Sequence, residues 1–78
     1  MRKKTETLII SFGTTTEAMK MARYCEANNL PGRLIPIPRE ITAGCGMAWK
    51  AKPGDKELLQ REMLAHAVRW EGMYTLEL

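Results

Sequence analysis

The alternation of apolar and polar positions predicts two strands and a helix in the first half of the chain. Thr7 to Phe12 is apolar at every second position and is followed by Gly13, a pattern typical of a strand. Apolar residues at helical spacing follow from Thr14 to about Asn28, and Thr14 with Glu17 fits a capping box at the start of this first helix. Arg33 to Pro38 alternates again and is the second predicted strand.

The second half of the chain predicts a strand, a helix and a final strand. Met47 to Lys52 alternates between apolar and polar residues and stops at a Pro-Gly pair. An apolar stripe then extends from the helix cap Asp55 to Trp70, which predicts an amphipathic second helix. After Gly72, the alternation up to Leu78 predicts a fourth strand with Tyr74 on its core side.

This order of elements predicts one α+β domain over residues 1–78. The expected architecture is a ferredoxin-like βαββαβ sandwich, with a four-stranded antiparallel sheet in the order 4-1-3-2. Pro36 and Pro38 lack backbone donors on the same side of strand two, which independently places that strand at a sheet edge. Right-handed crossovers place both helices on one face, so we expect the other face to be open and to favour a homodimer.

Composition and charge narrow the classes of function. The net charge of +3 is spread along the 78 residues, which is weak support for nucleic-acid binding. Lys50 and Lys52 face away from the core, but no aromatic residues interleave with them, so a solvated strand face is favoured. No apolar run is long enough for a membrane span, and no apolar region follows the basic run Arg2-Lys3-Lys4. We therefore expect a cytoplasmic protein with free thiols.

Cys45 is the candidate chemical centre. It lies between Gly44 and Gly46 in a connection that is longer than a hairpin requires. In the predicted topology this loop meets the end of strand one, Gly13 and Thr14 at the start of helix one, and the start of strand four. A helix N-terminus favours an anion, as does a nearby arginine such as Arg39, and the thiolate is the nucleophilic form of cysteine. Flanking glycines would give a partner access to the sulfur.

The same segment also fits a structural interpretation, in which Cys45 fills space in a tight bend. The residues alone leave both interpretations open. Cys25 shares the apolar stripe of helix one, which assigns it to the core. His66 has no second histidine and no carboxylate placed to orient it, so we expect it at the surface rather than as a general base. The sequence has neither metal-ligand spacing nor a Cys-x-x-Cys pair, so we expect no metal and no cofactor.

The stretch from Arg33 to Ala48 resembles the selenium/sulfur carrier protein-like family, a group of small bacterial and archaeal proteins first catalogued as a domain of unknown function. The resemblance is carried by Pro38-Arg39-Glu40 and Cys45-Gly46. It extends over essentially the whole chain, through the opening Phe12 to Ala18 and the closing Glu71 to Tyr74. Within the family motif, the cysteine falls on Cys45.

The resemblance implies a one-cysteine carrier that holds sulfur or selenium as a persulfide or selenopersulfide. Such a carrier receives its cargo from a donor protein and passes it to an acceptor protein. In this interpretation Cys45 is the nucleophile and covalent carrier, Arg39 stabilises the anion, and Glu40 caps or orients the loop. A stand-alone thiol enzyme is disfavoured because no base is evident. The alternative is a non-catalytic interaction or regulatory module of ferredoxin-like fold that binds partners through its sheet face or edge.

Overall fold

The computed structural model of the chain describes residues 5–41 and 44–78. Thr42 and Ala43 of the motif stretch, and the basic run Arg2-Lys3-Lys4, lie outside the described residues. The elements follow one another in the order β1 (Glu6–Ser11), α1 (Thr15–Ala27), β2 (Arg33–Pro36), β3 (Met47–Ala51), a short 3-10 helix η1 (Pro53–Asp55), α2 (Lys56–Ala65) and β4 (Gly72–Glu77). Each of the strands and helices predicted from the sequence pattern is present.

The four strands form one antiparallel sheet in the order β2-β3-β1-β4. Counted from the opposite edge, this order is β4-β1-β3-β2, so each strand has the neighbours that the sequence analysis expected. β2 lies at an edge of the sheet, as expected, but it ends at Pro36, so Pro38 lies outside the strand. At an edge, the missing backbone donor of Pro36 leaves no hydrogen bond of a central strand unmade. The fold therefore belongs to the α+β class.

Both helices pack on the same face of the sheet and enclose the main core. Phe12, which follows β1, is completely buried in this core. The other fully buried members come from β1, α1 and α2 and are Leu8, Ile10, Ala18, Met21, Cys25, Leu59 and Met63. Burial of a large apolar side chain contributes roughly 1.5–3 kcal/mol. The apolar stripes of the helices and the inward-facing residues of the sheet thus stabilise this face together. Neither helix of the described part of the chain has the length and apolarity needed to cross a bilayer.

The second face of the sheet is not bare, contrary to expectation. Ile9 of β1 and Ala48 of β3 are fully buried there, and Ile41 from the β2–β3 connection packs with them at 6% exposure. Tyr74 pairs with Ile9 and belongs to this second cluster, so its predicted position on the helix side is wrong. Met73 packs against the helix-side core instead. Because Ile41 makes the second face partly apolar, the alternation in β4 does not reveal which face meets the helices.

α2 is shorter than the apolar stripe predicted. It ends at Ala65, with His66 as its C-cap, so the prediction of a helix up to Trp70 is wrong. Ala67 has a φ of 56°, in the left-handed region that a helix cannot continue through. Lys20 of α1 donates a 2.9 Å hydrogen bond to the Ala67 carbonyl. This contact from the other helix supports the turn, and the local spacing of apolar residues does not indicate it.

Glu17 links α1 to the segment after α2. The Thr14 hydroxyl accepts a 3.2 Å hydrogen bond from the Glu17 N–H and so caps α1. The Glu17 carboxylate accepts no hydrogen bond from the Thr14 N–H, as a full capping box requires; it accepts a 2.7 Å hydrogen bond from the Arg69 N–H instead. Only half of the predicted capping box therefore forms, because the carboxylate has a partner distant in sequence.

Candidate functional site

Backbone hydrogen bonds hold the segment from Gly44 to Gly46 against the end of β1. The Cys45 N–H donates to the Phe12 carbonyl over 2.9 Å, and the Gly46 carbonyl accepts from the Ile37 N–H over 2.9 Å. Gly44 has a φ of 99° and Gly46 a φ of 89°, values that favour glycine. The glycines on both sides of Cys45 therefore produce the bend that brings this residue to β1.

Gly44 lies too close to β1 to carry a side chain. A Cβ atom added there would lie 2.8 Å from the Phe12 carbonyl oxygen, which is shorter than real Cβ contacts. A Cβ atom at Gly46 would meet nothing within 4 Å. Gly44 is therefore required by both packing and backbone conformation, whereas Gly46 is required by conformation alone and leaves open space beside Cys45.

The two cysteines differ in environment. Cys45 is free and half-buried, with its side chain packed against the helix-side core. Cys25 is 1% exposed, and its Sγ lies 3.7 Å from the Met21 Sδ, which confirms its assignment to the core. Burial, together with the negative charge of Glu62, raises the pKa of the Cys25 thiol to about 11. Cys45 is thus the more exposed of the two cysteines.

Glu71, which the sequence analysis named only in the closing stretch of the family resemblance, lies near the loop of Cys45. Its N–H donates a 2.7 Å hydrogen bond to the Ser11 carbonyl where the chain enters β4. Its carboxylate lies between two glycines, since Cβ atoms added at Gly13 and Gly44 would be 3.7 Å from its Oε2 and Oε1, respectively. The available signal was its position directly before β4. The carboxylate beside Gly44 makes the surroundings of Cys45 less electropositive than the sequence indicates.

Arg39 and Glu40 are exposed in a turn of the same loop, which the Ile41 N–H closes by donating to the Pro38 carbonyl over 3.0 Å. Among the side-chain hydrogen bonds and ion pairs within residues 5–41 and 44–78, none joins either residue to Cys45. The structure therefore places the Glu71 carboxylate beside Gly13 and Gly44, the residue before Cys45, but it does not place Arg39 or Glu40 in polar contact with the thiol.

His66 lies at the surface, as expected. It is exposed, and its ring stacks on Tyr24 with 4.1 Å between the ring centroids. The Tyr24 hydroxyl in turn donates a 2.8 Å hydrogen bond to Glu62. In the part of the chain that the structure describes, no three histidine, cysteine or acidic side chains are grouped as ligands of a metal ion. The histidine thus belongs to a contact between α1 and the end of α2.

Comparison with known families gives a match that spans most of the chain. A family model described as "Putative Se/S carrier protein-like" matches residues 7–75. The matched range includes Cys45 and its two neighbouring glycines, Arg39, Glu40 and Glu71. No curated protein and no solved structure matches this chain.

Proposed function

The chain belongs to the Se/S carrier protein-like family, and on that premise we propose that Cys45 carries a sulfur or selenium atom from a donor protein to an acceptor protein. One observation carries the proposal: Cys45 is free and half-buried, and its backbone N–H is hydrogen-bonded to the carbonyl of the core residue Phe12. A covalent carrier needs a sulfur atom that a partner can reach but that is held in a defined position.

The transfer consists of two displacement steps. The Cys45 thiolate attacks the terminal sulfur of a donor persulfide, so that a new S–S bond forms at Cys45 while the donor's own S–S bond breaks and the donor leaves as a thiolate. In the second step an acceptor thiolate attacks the terminal sulfur held on Cys45, and Cys45 leaves as the thiolate. Each step exchanges one S–S bond for another, so no external oxidant or reductant is needed. A selenopersulfide follows the same path with selenium as the terminal atom.

Charged and dipolar groups around the loop support the thiolate. Thr14, the N-cap of α1, follows Phe12 by two residues, and the Cys45 N–H is hydrogen-bonded to the Phe12 carbonyl. The first turn of α1 would thus favour an anion at this pole. Arg39, exposed on the same loop, is the proposed cation for the thiolate, and Glu40 is proposed to orient the turn. The carboxylate of Glu71 acts in the opposite direction, since a nearby negative charge disfavours a second one.

The deciding experiment is mass spectrometry of the intact protein and its peptides after incubation with glutathione persulfide. We expect the mass of one added sulfur atom on the peptide that contains Cys45. The adduct should be absent in Cys45→Ser and retained in the matched control Cys25→Ala. No adduct in the wild type, or an undiminished one in Cys45→Ser, would sink the proposal. A parallel incubation uses glutathione selenopersulfide, made from selenodiglutathione and one equivalent of glutathione with release of oxidised glutathione, and an adduct of one selenium atom shows whether Cys45 also accepts selenium.

A second candidate function is a non-catalytic interaction module, and the second sheet face favours it. Ile35, Ile37, Tyr74 and Leu76 are only partly buried around the small cluster on that face. A second copy of the chain would cover them, and we propose that the protein forms a homodimer through this face. Sedimentation of the wild type against Ile37→Ser tests it. If partner binding survives Cys45→Ser but not Ile37→Ser, the module replaces the carrier.

The architecture and the cellular setting belong to the same proposal. We propose that the α+β fold is of the ferredoxin-like type, which the element order and the strand neighbours support. A cytoplasmic, reducing setting suits a carrier whose two cysteines are both free. Reaction of the thiols with an alkylating reagent in intact cells, before lysis, measures how much of the protein is reduced there.

A further inference from the structure

A cavity of about 620 Å³ opens at the pole of the sheet opposite Cys45. It lies where β1 and β2 begin and β3 ends, whereas the loop of Cys45 lies where β1 ends and β3 begins. Its volume falls within the range of about 300–1,000 Å³ that is usual for small-molecule sites. The carrier function proposed above makes no use of this cavity.

Three cationic residues line this cavity: Arg33, Lys50 and Lys52. Arg33 and Lys50 are directly opposite each other in the register of β2 and β3, and like charges in that position destabilise a sheet. Lys52 continues the extended backbone two residues after Lys50, with φ −86° and ψ 148°, so it stands on the same face. Within residues 5–41 and 44–78 no ion pair joins any of the three to a carboxylate. An anion bound between them would remove this repulsion.

The two acidic residues of the cavity do not stand on that face. Glu6 shares the alternation of Leu8 in β1, which points into the helix-side core. Asp55 lies in η1, where the chain turns from the sheet into α2. The Thr7 hydroxyl is already used, since it donates a 3.0 Å hydrogen bond to the Thr5 carbonyl. The second-face side of the cavity is therefore positively charged, and the three cations are its recognition groups.

We propose that this cavity binds a small anionic ligand that carries a phosphate or carboxylate group. The planar guanidinium of Arg33 can bind two oxygen atoms of either group at once, and Lys50 and Lys52 supply point charges beside it. A small molecule fits better than an extended polyanion, because the cations converge on one recess and the rest of the positive charge is spread along the chain. The binding is independent of the chemistry at Cys45.

The test is an NMR titration of the full chain with pyrophosphate and, separately, with citrate, at constant ionic strength. Saturable shifts should appear at the amides of Gly32, Arg33 and Lys50, and Cys45→Ser should leave them unchanged. Saturation with both probes assigns a general anion site, whereas saturation with one alone assigns a phosphate or a carboxylate ligand. If neither probe produces saturable shifts, the proposal is overturned.

Matched variants separate this site from unspecific attraction. Arg33→Gln with Lys50→Gln should weaken binding roughly tenfold or more, because charge-assisted hydrogen bonds are lost. Arg23→Gln with Arg61→Gln removes the same charge from exposed helix positions and should leave the affinity unchanged. Equal weakening in both pairs contradicts the site. If the first pair fails to fold, the exposed single variant Lys52→Gln decides in its place, and an unchanged affinity there overturns the proposal.

Discussion

The N–H of Cys45 donates a 2.9 Å hydrogen bond to the carbonyl of Phe12, so the candidate thiol is tied to the end of a central strand. Phe12 itself is completely buried, which makes the acceptor of this bond part of the rigid core. The bond uses backbone atoms only and does not depend on the side chain at position 45. Replacement of the thiol should therefore leave the loop in place, so that a loss of sulfur transfer in Cys45→Ser reports on chemistry rather than on folding.

The bend that positions Cys45 depends on Gly44. Gly44→Ala should lower the free energy of unfolding by about 1–3 kcal/mol, since it combines a left-handed backbone with a Cβ atom 2.8 Å from the Phe12 carbonyl. Urea denaturation measures the difference. Gly54→Ala is the control, because a Cβ atom there meets nothing within 4 Å, and it should be nearly neutral. Equal stability of the two variants would contradict the close approach of Gly44 to β1.

The two thiols should react at very different rates in the native protein. Iodoacetamide at neutral pH should modify the half-buried Cys45 first and Cys25 only when the chain unfolds, because Cys25 is 1% exposed. Peptide mass spectrometry over time follows both sites. In urea the two rates should converge. Modification of Cys25 as fast as Cys45 without denaturant would show that α1 does not protect it.

Burial of Cys25 also predicts a loss of stability at alkaline pH. The pKa of this thiol is raised from 9.0 to about 11 in the folded state, so folding favours the protonated form. Its contribution to stability is complete below pH 9.0 and is lost as the pH rises through about 11. Thermal unfolding of the wild type and of Cys25→Ala across this range should show the gap between them narrowing. A constant gap would assign the effect of the substitution to packing alone.

The spacing of apolar residues and the residues at helix and strand ends predicted most of the fold, because neighbouring residues largely decide where these elements form. β1 and α1 follow from the alternation that ends at Gly13 and from the cap at Thr14. The end of α2 could not be predicted, because Ala67 continues the helical spacing but adopts a left-handed backbone, and its carbonyl accepts a hydrogen bond from Lys20, which is distant in sequence. Contacts between elements decide such positions.

In the candidate site, too, features set by neighbouring residues could be predicted, and features set by contacts between elements could not. The bend around Cys45 was expected from the sequence, because Gly44 and Gly46 can adopt the left-handed backbone that such a bend uses. The role of Glu71 was not, since its proximity to Gly44 arises only when β4 pairs with β1. The face of Tyr74 was also mispredicted, because the covering residue Ile41 comes from a different part of the chain.

Gly32, in the connection between α1 and β2, should tolerate an added side chain less well than the other glycines. It has a φ of 108°, and an added Cβ atom would overlap the Trp49 indole nitrogen and lie 2.6 Å from the Lys50 carbonyl. Gly32→Ala should break the 3.0 Å hydrogen bond from that nitrogen to the Pro31 carbonyl and cost about 2 kcal/mol or more in unfolding free energy. Gly13→Ala is the control, because its nearest contact would be an ordinary 3.7 Å. A urea midpoint for Gly32→Ala equal to that of the control would contradict the placement of the indole.

Glu17 should make the stability of the chain fall at acidic pH. The hydrogen bond from the Arg69 N–H, and to a lesser extent the ion pair with Lys20, lowers the pKa of this carboxyl below 4.5. A lowered pKa means that the stabilising contribution is present above pH 4.5 and is lost as the pH falls through the folded-state value. The melting temperature of Glu17→Gln should therefore be below that of the wild type at neutral pH, and the gap should close in acid.

The control for this prediction is Glu26→Gln, which removes an exposed carboxylate from the same helix. Its gap from the wild type should be smaller at neutral pH. A gap for Glu17→Gln that persists well below pH 4.5 would show that the charge of the carboxylate is not what stabilises the fold. The outcome also bears on the site, because Glu17 fixes Arg69, and Arg69 is two residues before Glu71. If Glu17 holds this segment, its loss should also shift the amide signals of Gly13 and Gly44, which flank the Glu71 carboxylate.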